Sequence, residues 1–416
     1  MNRVYGTLRV LTLVGVFCAA LAYAQRPAEY NNLGIQSYDA GRYTEAIAYF
    51  ERAYEGASAS DVVRRNLCNA HQARANELAK NADFARAVRH LETAVSVDPE
   101  NPSPLVQLGS YYLRLDEVNE AIFRLEEAIE LKPGYLDAHE MLGEAYYRDN
   151  DIPSARAQWE YVLEMAPNRT ALRERYDKAF REEMVEYDFN RAGSRHFRIT
   201  YPPGTSYQVR ERILRILERA YMDIGRTFSG VYPPPPIQVI AYTAEQFAAA
   251  TQLDGHVGAV YDGKIRTPLT DRSGRPLSED ELKRRLTHEY VHVVIRNICG
   301  AKVPWWLNEG AAEAFSHDVQ AAEVQLLDKA AAQGVHFSLR DLEAHQLKTI
   351  RDPELLRMAY AHSHITVDYL WKRYGQHRFS RLLSDIASGA APEQALKDAY
   401  QLDYASLQQA VFHSMR

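Results

Sequence analysis

The stretch LTHEYVHVVI, residues 286–295, decides how the second half of the chain is read: it is either a core helix that carries two histidines or half of a metal site. Ser278, with Glu281 three residues on, reads as a capping box that opens a helix. Leu282, Leu286, Tyr290, Val293 and Val294 then continue one buried stripe up to Gly300. Residues four apart on a helix share a face, so His288 and His292 can each turn a ring nitrogen toward one ion. Glu289 stands beside them, where a carboxylate can take the proton of an attacking water. Without a metal, two histidines and their glutamates would have to satisfy one another in the core, which is costly unless every group is hydrogen-bonded. A second signal lies in VPWWLNEGAAEAF, residues 303–315, where Glu309 follows His292 by 17 positions and starts another helix. A carboxylate there completes a two-His, one-Glu set that leaves zinc an open position.

Upstream of the histidines the period changes to that of strands. HFRITY (196–201) alternates Phe197, Ile199 and Tyr201 with polar neighbours. A long amphipathic helix follows, striped by Val209, Ile213, Ile216, Leu217, Ala220, Ile224 and Phe228. The prolines 233–236 stop the chain before a strand at IQVIAY (237–242), and Asp262-Gly263 turns a hairpin between VGAVY and KIRTP. That hairpin offers an edge strand to which an extended substrate could add its own backbone. Downstream, PELLRMAYAHSHITVDYLWKRYG, HRFSRLLSDIASG, PEQALKDAY and YASLQQAVFHSM read as a helical subdomain that closes the far wall of a cleft, with Leu382 and Leu383 in its core.

THEYVH and WLNEGAAE together resemble the gluzincins, HExxH metallopeptidases whose third ligand is a glutamate. YAHSHITVDYLWKRYG extends the likeness more loosely, and the whole spans residues 194 to 416. It is most similar to bacterial peptidase-MA-like domains fused to tetratricopeptide repeats. The resemblance implies His288, His292 and Glu309 as Zn2+ ligands, Glu289 as general base and a peptide or protein as substrate. One turn beyond Glu309, Glu313 is placed to accept the second N–H of a ligand histidine and fix its tautomer. Gly310, costly inside a helix, implies a close approach, expected against the His288 helix. The oxyanion of peptide hydrolysis needs a further donor; Tyr360, His362 and His364 are the candidates, with Tyr360 favoured.

The first half carries a repeat. Gly109, Tyr112, Ala121, Ala128 and Pro133 recur 34 residues later as Gly143, Tyr146, Ala155, Val162 and Pro167. Ala87, Leu91, Ala94 and Pro99 make an earlier copy, and Gly34, Ala46, Phe50 and Ala53 a first one offset by 41, so the helix pair between those two is longer. The 34-residue period is the signature of tetratricopeptide repeats, helix pairs that bury their faces only against neighbours. Four repeats are expected over 28–169, with a capping helix and linker over 170–193. Such an array offers a surface for a protein partner or acts as a spacer. The fold class is therefore α+β multidomain: an all-α solenoid, then a small mixed sheet, the HExxH helix and a C-terminal helical subdomain.

Composition limits the remaining choices. At 46% hydrophobic and 25% charged residues, with net charge -6 and no basic run, the chain is that of a globular protein that does not bind nucleic acid. Arg3 and Arg9 precede the apolar run VLTLVGVFCAALA, and Ala22-Tyr23-Ala24 supplies the small-x-small pattern of a signal peptidase site. Residues 1–24 are thus expected to be a cleaved signal peptide that leaves no membrane span and directs export, periplasmic or secreted. Cys68 and Cys299 would remain as two buried thiols rather than a disulfide framework. The rival to an exported zinc peptidase is a repeat scaffold whose zinc domain is structural or inactive; hydrolysis of a non-peptide amide is a third option.

Overall fold

Small residues recur in the first half because paired helices must touch there, and the computed structural model shows the pairs. It describes residues 26–81, 83–252, 259–334, 336–343 and 352–415, which fall into two compact units divided between Arg173 and Glu174. In the first unit a helix over 26–39 (α1) packs on Tyr43–Ala57 (α2), with Gly34 against Phe50 and Gly56 against Pro27, and Asp61–Lys80 (α3) pairs with Phe84–Val97 (α4). Pro102–Arg114 (α5) pairs with Val118–Leu131 (α6), and Leu136–Arg148 (α7) with Ile152–Met165 (α8). The side chains of Ser60, Asp83, Asn101 and Asp151 each accept a backbone N–H at a helix start, satisfying donors that the first turn leaves open. The offset of 41 has a simple origin: α3 has 20 residues where its counterpart α5 has 13, which is the seven-residue difference from the period of 34.

Gly109 and Gly143 show why the repeat keeps its small residue. Each lies opposite a large side chain of the partner helix, Leu125 and Trp159 respectively, and these occupy the same place in successive repeats. A Cβ at Gly143 would lie 2.3 Å from Trp159 Nε1, well inside van der Waals contact. Trp159 is fully buried and donates from Nε1 to the Glu140 carbonyl at 3.1 Å, so it has no room to yield.

The second unit is built on one five-stranded sheet. Its strands are Asn190–Gly193 (β1), Phe197–Tyr201 (β2), Ile237–Tyr242 (β3), Val260–Tyr261 (β4) and Ile265–Pro268 (β5), in the order β1-β2-β3-β5-β4. β2, β3 and β5 run parallel, while β1 and β4 close the two edges antiparallel. The sheet is mixed, as its sequence implies, and the β4–β5 hairpin turns at Gly263 with φ 108°. One strand departs from expectation. The helix Thr170–Glu186 (α9) ends before Asn190–Gly193, which pair with β2 instead of continuing the helix. Those four residues are mostly exposed and show no alternation, so it is the antiparallel pairing with β2, from Asn190↔Tyr201 to Gly193↔Arg198, that makes them a strand.

Both faces of the sheet are covered, which is why every residue of β3 is buried. On one side Phe197, Ile199, Val239 and Ile265 share a core with Ile213 and Leu217 of Tyr207–Thr227 (α10) and with Leu286 and Tyr290 of Glu279–Cys299 (α12). On the other side Ile240 and Tyr242 meet Phe247 of Ala244–Thr251 (α11), with Val185 of α9 packed against them. This second face also buries charge. The Arg266 guanidinium, fully enclosed, lies 3.0 Å from Glu182 and 3.3 Å from Glu186 of α9, 3.2 Å from Asp262 and 2.5 Å from the Tyr242 hydroxyl. Burial lowers the neighbouring Lys264 ammonium to about 8, with Arg266 adding to the effect.

The helical subdomain follows in chain order as Trp305–Ser316 (α13), Ala321–Ala332 (α14), Pro353–Ala387 (α15), Pro392–Tyr400 (α16) and Tyr404–Ser414 (α17). Leu382 and Leu383 are core, and α15 breaks at Gly375, whose φ of 78° no helix accepts. Cys68 and Cys299 are buried free thiols, pushed up by burial to about 11 and about 12. No helix among the described residues is long and apolar enough to cross a membrane, and residues 1–24 lie outside them.

The repeat glycines yield a direct test. Gly143→Ala forces Cβ into the Trp159 ring and should destabilise the array by about 1–3 kcal/mol, read as a lower urea midpoint in Trp159 fluorescence. Gly134→Ala, where a Cβ meets nothing within 4 Å, is the control and should leave the midpoint unchanged.

Candidate metal centre

The side chains that matter here come from three helices packed on one another: α12, α13 and α15. Ser278 caps α12 by accepting the Glu281 N–H at 3.2 Å, but only half of the expected capping box forms. The Glu281 carboxylate turns instead to Arg284 and to Arg285, the latter at 2.6 Å. Charge-assisted bonds to two guanidiniums outweigh one bond back to the cap N–H.

From α12, His288 and His292 bring their Nε2 atoms within 3.2 Å of each other, with ring planes at 84°. From the second turn of α13, Glu309 Oε2 reaches 3.6 Å from His288 Nε2 and 3.5 Å from His292 Nε2. The three atoms form a near-equilateral triangle. Four ligands set tetrahedrally at zinc's ~2.0–2.1 Å bond length lie about 3.4 Å apart, so the triangle has the size of one face of such a site. Two imidazole lone pairs at 3.2 Å repel unless a cation or a proton lies between them. The residues therefore fit a zinc ion by geometry and by donor type.

The electrostatics agree. Burial alone would lower the His292 imidazolium, but the Glu309 carboxylate overrides it and raises His292 to about 9. Burial opposes ionisation of Glu309 too; nevertheless His292 and His288 hold it well below the usual carboxylate range. Glu289 is 4% exposed, its pKa is raised by burial, and its Oε2 has no hydrogen-bond partner among the described residues. A buried carboxylate oxygen with nothing to accept from is poised to receive a proton.

Around these groups some expectations hold and others change. Glu313 Oε1 lies 3.6 Å from His288 Nδ1, on the ring edge away from Glu309. Gly310 does mark a close approach, but against α15 rather than the His288 helix: a Cβ there would lie 2.3 Å from the Ser363 carbonyl oxygen and 2.7 Å from Val367 Cγ2. The turn that aims Glu309 at α12 carries its next residue toward the opposite neighbour. Of the three donor candidates on α15, Tyr360 packs edge-on against Trp305 at 5.1 Å. Its hydroxyl is pushed up by burial and then by the charges of Glu309, Glu313 and Glu289, so it remains a neutral donor beside them. His362 is buried, its ring 5.4 Å from Phe412 and the Phe337 backbone within its reach. His364 Nδ1 is engaged by Glu323 at 2.9 Å. β4 is an edge of the sheet among the described residues, and it contacts α12.

Sequence reasoning passed over His317 and Glu323. The available signal was the spacing of Glu309, Glu313 and His317, four residues apart along α13 and its C-terminal cap.

Residues 278–415 match the Peptidase MA superfamily, and residues 73–135 and 106–170 match the tetratricopeptide repeat. No curated protein matches the chain. Among solved structures, the chain is similar to MamA at 23% identity, with 38% of this chain and 82% of that one covered and a TM-score of 0.30. It is similar to the first TPR of Spaghetti (RPAP3) bound to an HSP90 peptide at 23% identity, over 27% and 90%, with a TM-score of 0.27. It is also similar to TTC0263, a TPR protein of Thermus thermophilus, at 24% identity, over 37% and 98%, with a TM-score of 0.24.

The proton held at His292 sets the pH dependence of metal uptake. Below about 9 the metal-free site keeps that proton, and an entering ion must displace it. Zinc binding at pH 7 should therefore release about one proton from His292, and apparent affinity should rise with pH by up to about tenfold per unit until His292 titrates. Calorimetry in two buffers of different ionisation enthalpy measures the release; an enthalpy independent of the buffer would contradict the assignment.

Proposed function

We propose that this chain, which carries a C-terminal Peptidase MA superfamily domain behind N-terminal tetratricopeptide repeats, is a zinc-dependent metallopeptidase that hydrolyses peptide bonds. The observation that carries the reading is the convergence of His288, His292 and Glu309 beside buried Glu289, whose Oε2 has no partner among the described residues, within that domain. His288, His292 and Glu309 hold the ion. Zinc, when bound, supplies a Lewis acid that polarises the scissile carbonyl and makes water nucleophilic near neutral pH.

The chain's own groups do the rest. Glu289, its affinity for a proton raised by burial, takes a proton from the attacking water at a carboxylate oxygen and returns it to the leaving amine. Tyr360, kept protonated by burial and then by its carboxylate neighbours, donates its O–H to the developing oxyanion. Glu313, whose Oε1 lies 3.6 Å from His288 Nδ1, attracts that edge of the ring and favours Nε2 toward the ion. The edge strand β4, beside α12, supports an extended peptide laid antiparallel to it. The repeats recruit the substrate or a protein partner. Residues 1–24 act as a cleaved signal peptide, so the reaction takes place in the periplasm or outside the cell.

Glu289→Gln separates binding from chemistry. Zinc content should be unchanged, while hydrolysis of a mixed peptide library falls by about 10²–10⁴-fold. Full activity in Glu289→Gln, or none in the unmodified zinc-loaded protein, would overturn the reading. Tyr360→Phe should lower kcat by about 10²–10³-fold with KM nearly unchanged; an effect confined to KM would instead make Tyr360 a packing residue against Trp305.

A further inference from the structure

A second group of metal-ligating side chains lies behind the first. It is formed by Glu313 and His317 at the end of α13, His364 on α15 and Glu323 in the first turn of α14. One ligand atom from each of Glu313, His317 and His364 lies within 4.8 Å of the others. His317 Nδ1 is 3.3 Å from Glu313 Oε2 and 3.1 Å from Ser316 Oγ, and the His317 and His364 ring centroids are 4.8 Å apart.

His364 carries the strongest signal. It is wholly buried, its Nδ1 lies 2.9 Å from Glu323 Oε1, and its Nε2 has no hydrogen-bond partner among the described residues. A carboxylate can only accept, so Nδ1 carries the hydrogen and Nε2 is left with a lone pair enclosed in protein. Leaving such an acceptor unmet in the neutral imidazole is unfavourable; a cation would meet it. Glu323 is itself fixed, because its Oε2 accepts the Gln320 N–H at 2.7 Å in the cap of α14. A carboxylate that orients a histidine from behind, leaving the far nitrogen free, is the arrangement seen behind metal-ligating imidazoles. The site is open to ions, since the His317 side chain is 21% exposed. The Arg284 guanidinium feels both Glu313 and Glu323, and Glu281 holds it at 3.2 Å.

We propose that Glu313, His317 and His364 form a second zinc site, with Glu323 as the positioning residue for His364. Its two imidazoles and one carboxylate match zinc as the first set does, and water fills the remaining position. Glu313 joins the two sites: Oε1 faces His288 Nδ1 and Oε2 faces His317 Nδ1. An ion at the second site would pin that carboxylate, and through it the orientation of His288, so the site steadies the first one without taking part in the reaction.

The test is zinc stoichiometry by elemental mass spectrometry on the full chain, loaded with zinc and dialysed against buffer, with folding checked by circular dichroism. Two zinc ions per chain are expected, falling to one in His317→Ala and, independently, to one in His292→Ala. Glu323→Gln, a milder change, should weaken the second ion by about 10–100-fold in a chelator competition and leave the first untouched. One zinc that is lost in His292→Ala and kept in His317→Ala would overturn the second site while leaving the peptidase reading intact. One zinc that is kept in His292→Ala and lost in His317→Ala would support the second site and remove the basis of the peptidase reading. Two ions that survive His317→Ala, or no bound zinc at all, would also overturn it.

Discussion

The centre depends on how closely α13 and α15 approach. At Gly310 the helix lies so near the Ser363 carbonyl that a side chain of any size would collide with backbone, which cannot swing aside. Because Glu309 precedes that contact and Glu313 follows it by three residues, the pinned backbone fixes where both carboxylates emerge on the α12 side. The histidine pair is set by its own helix; the partner carboxylate is set by a glycine that touches no ligand. A methyl group at 310 would thus act on metal affinity from the opposite face of the helix.

The charges at the centre are balanced only in combination. His292 is raised and Glu309 lowered by each other, and Glu289 is raised mainly because burial strips it of water. The same enclosure produces opposite outcomes according to whether a group has a counter-charge. The pair with matched partners is held charged, and the carboxylate left outside it is held toward its neutral form.

What was legible in the sequence was what depends on local spacing. Four-residue spacing put His288 and His292 on one face, and a 34-residue period gave the helix pairs, down to the extra length of α3. Glu309 could be placed because its helix and its chemistry both pointed to the same role. What could not be read were contacts between distant segments. β1 exists only because β2 is beside it, and Gly310 announced a close neighbour without saying which. Nothing in the sequence said that Glu323, 41 residues earlier, would lie 2.9 Å from His364 Nδ1. The buried Arg266 stands in the strand KIRTP, where a charged residue reads as solvent-facing until its partners on α9 are known.

Those partners bear on where the second unit begins as a piece of chain. By its strands alone it would start near β1, yet Glu182 and Glu186 lie before that point and neutralise Arg266 inside the fold. A segment excised at the first strand would keep a buried guanidinium and a buried ammonium while losing two of the carboxylates that compensate them, and breaking such a set typically costs several kcal/mol. The heritable module, the stretch that recombination can move between proteins and still find folded, therefore includes the second half of α9. Fusions that join this domain to other partners would be constrained to cross over within that helix rather than at the start of the sheet.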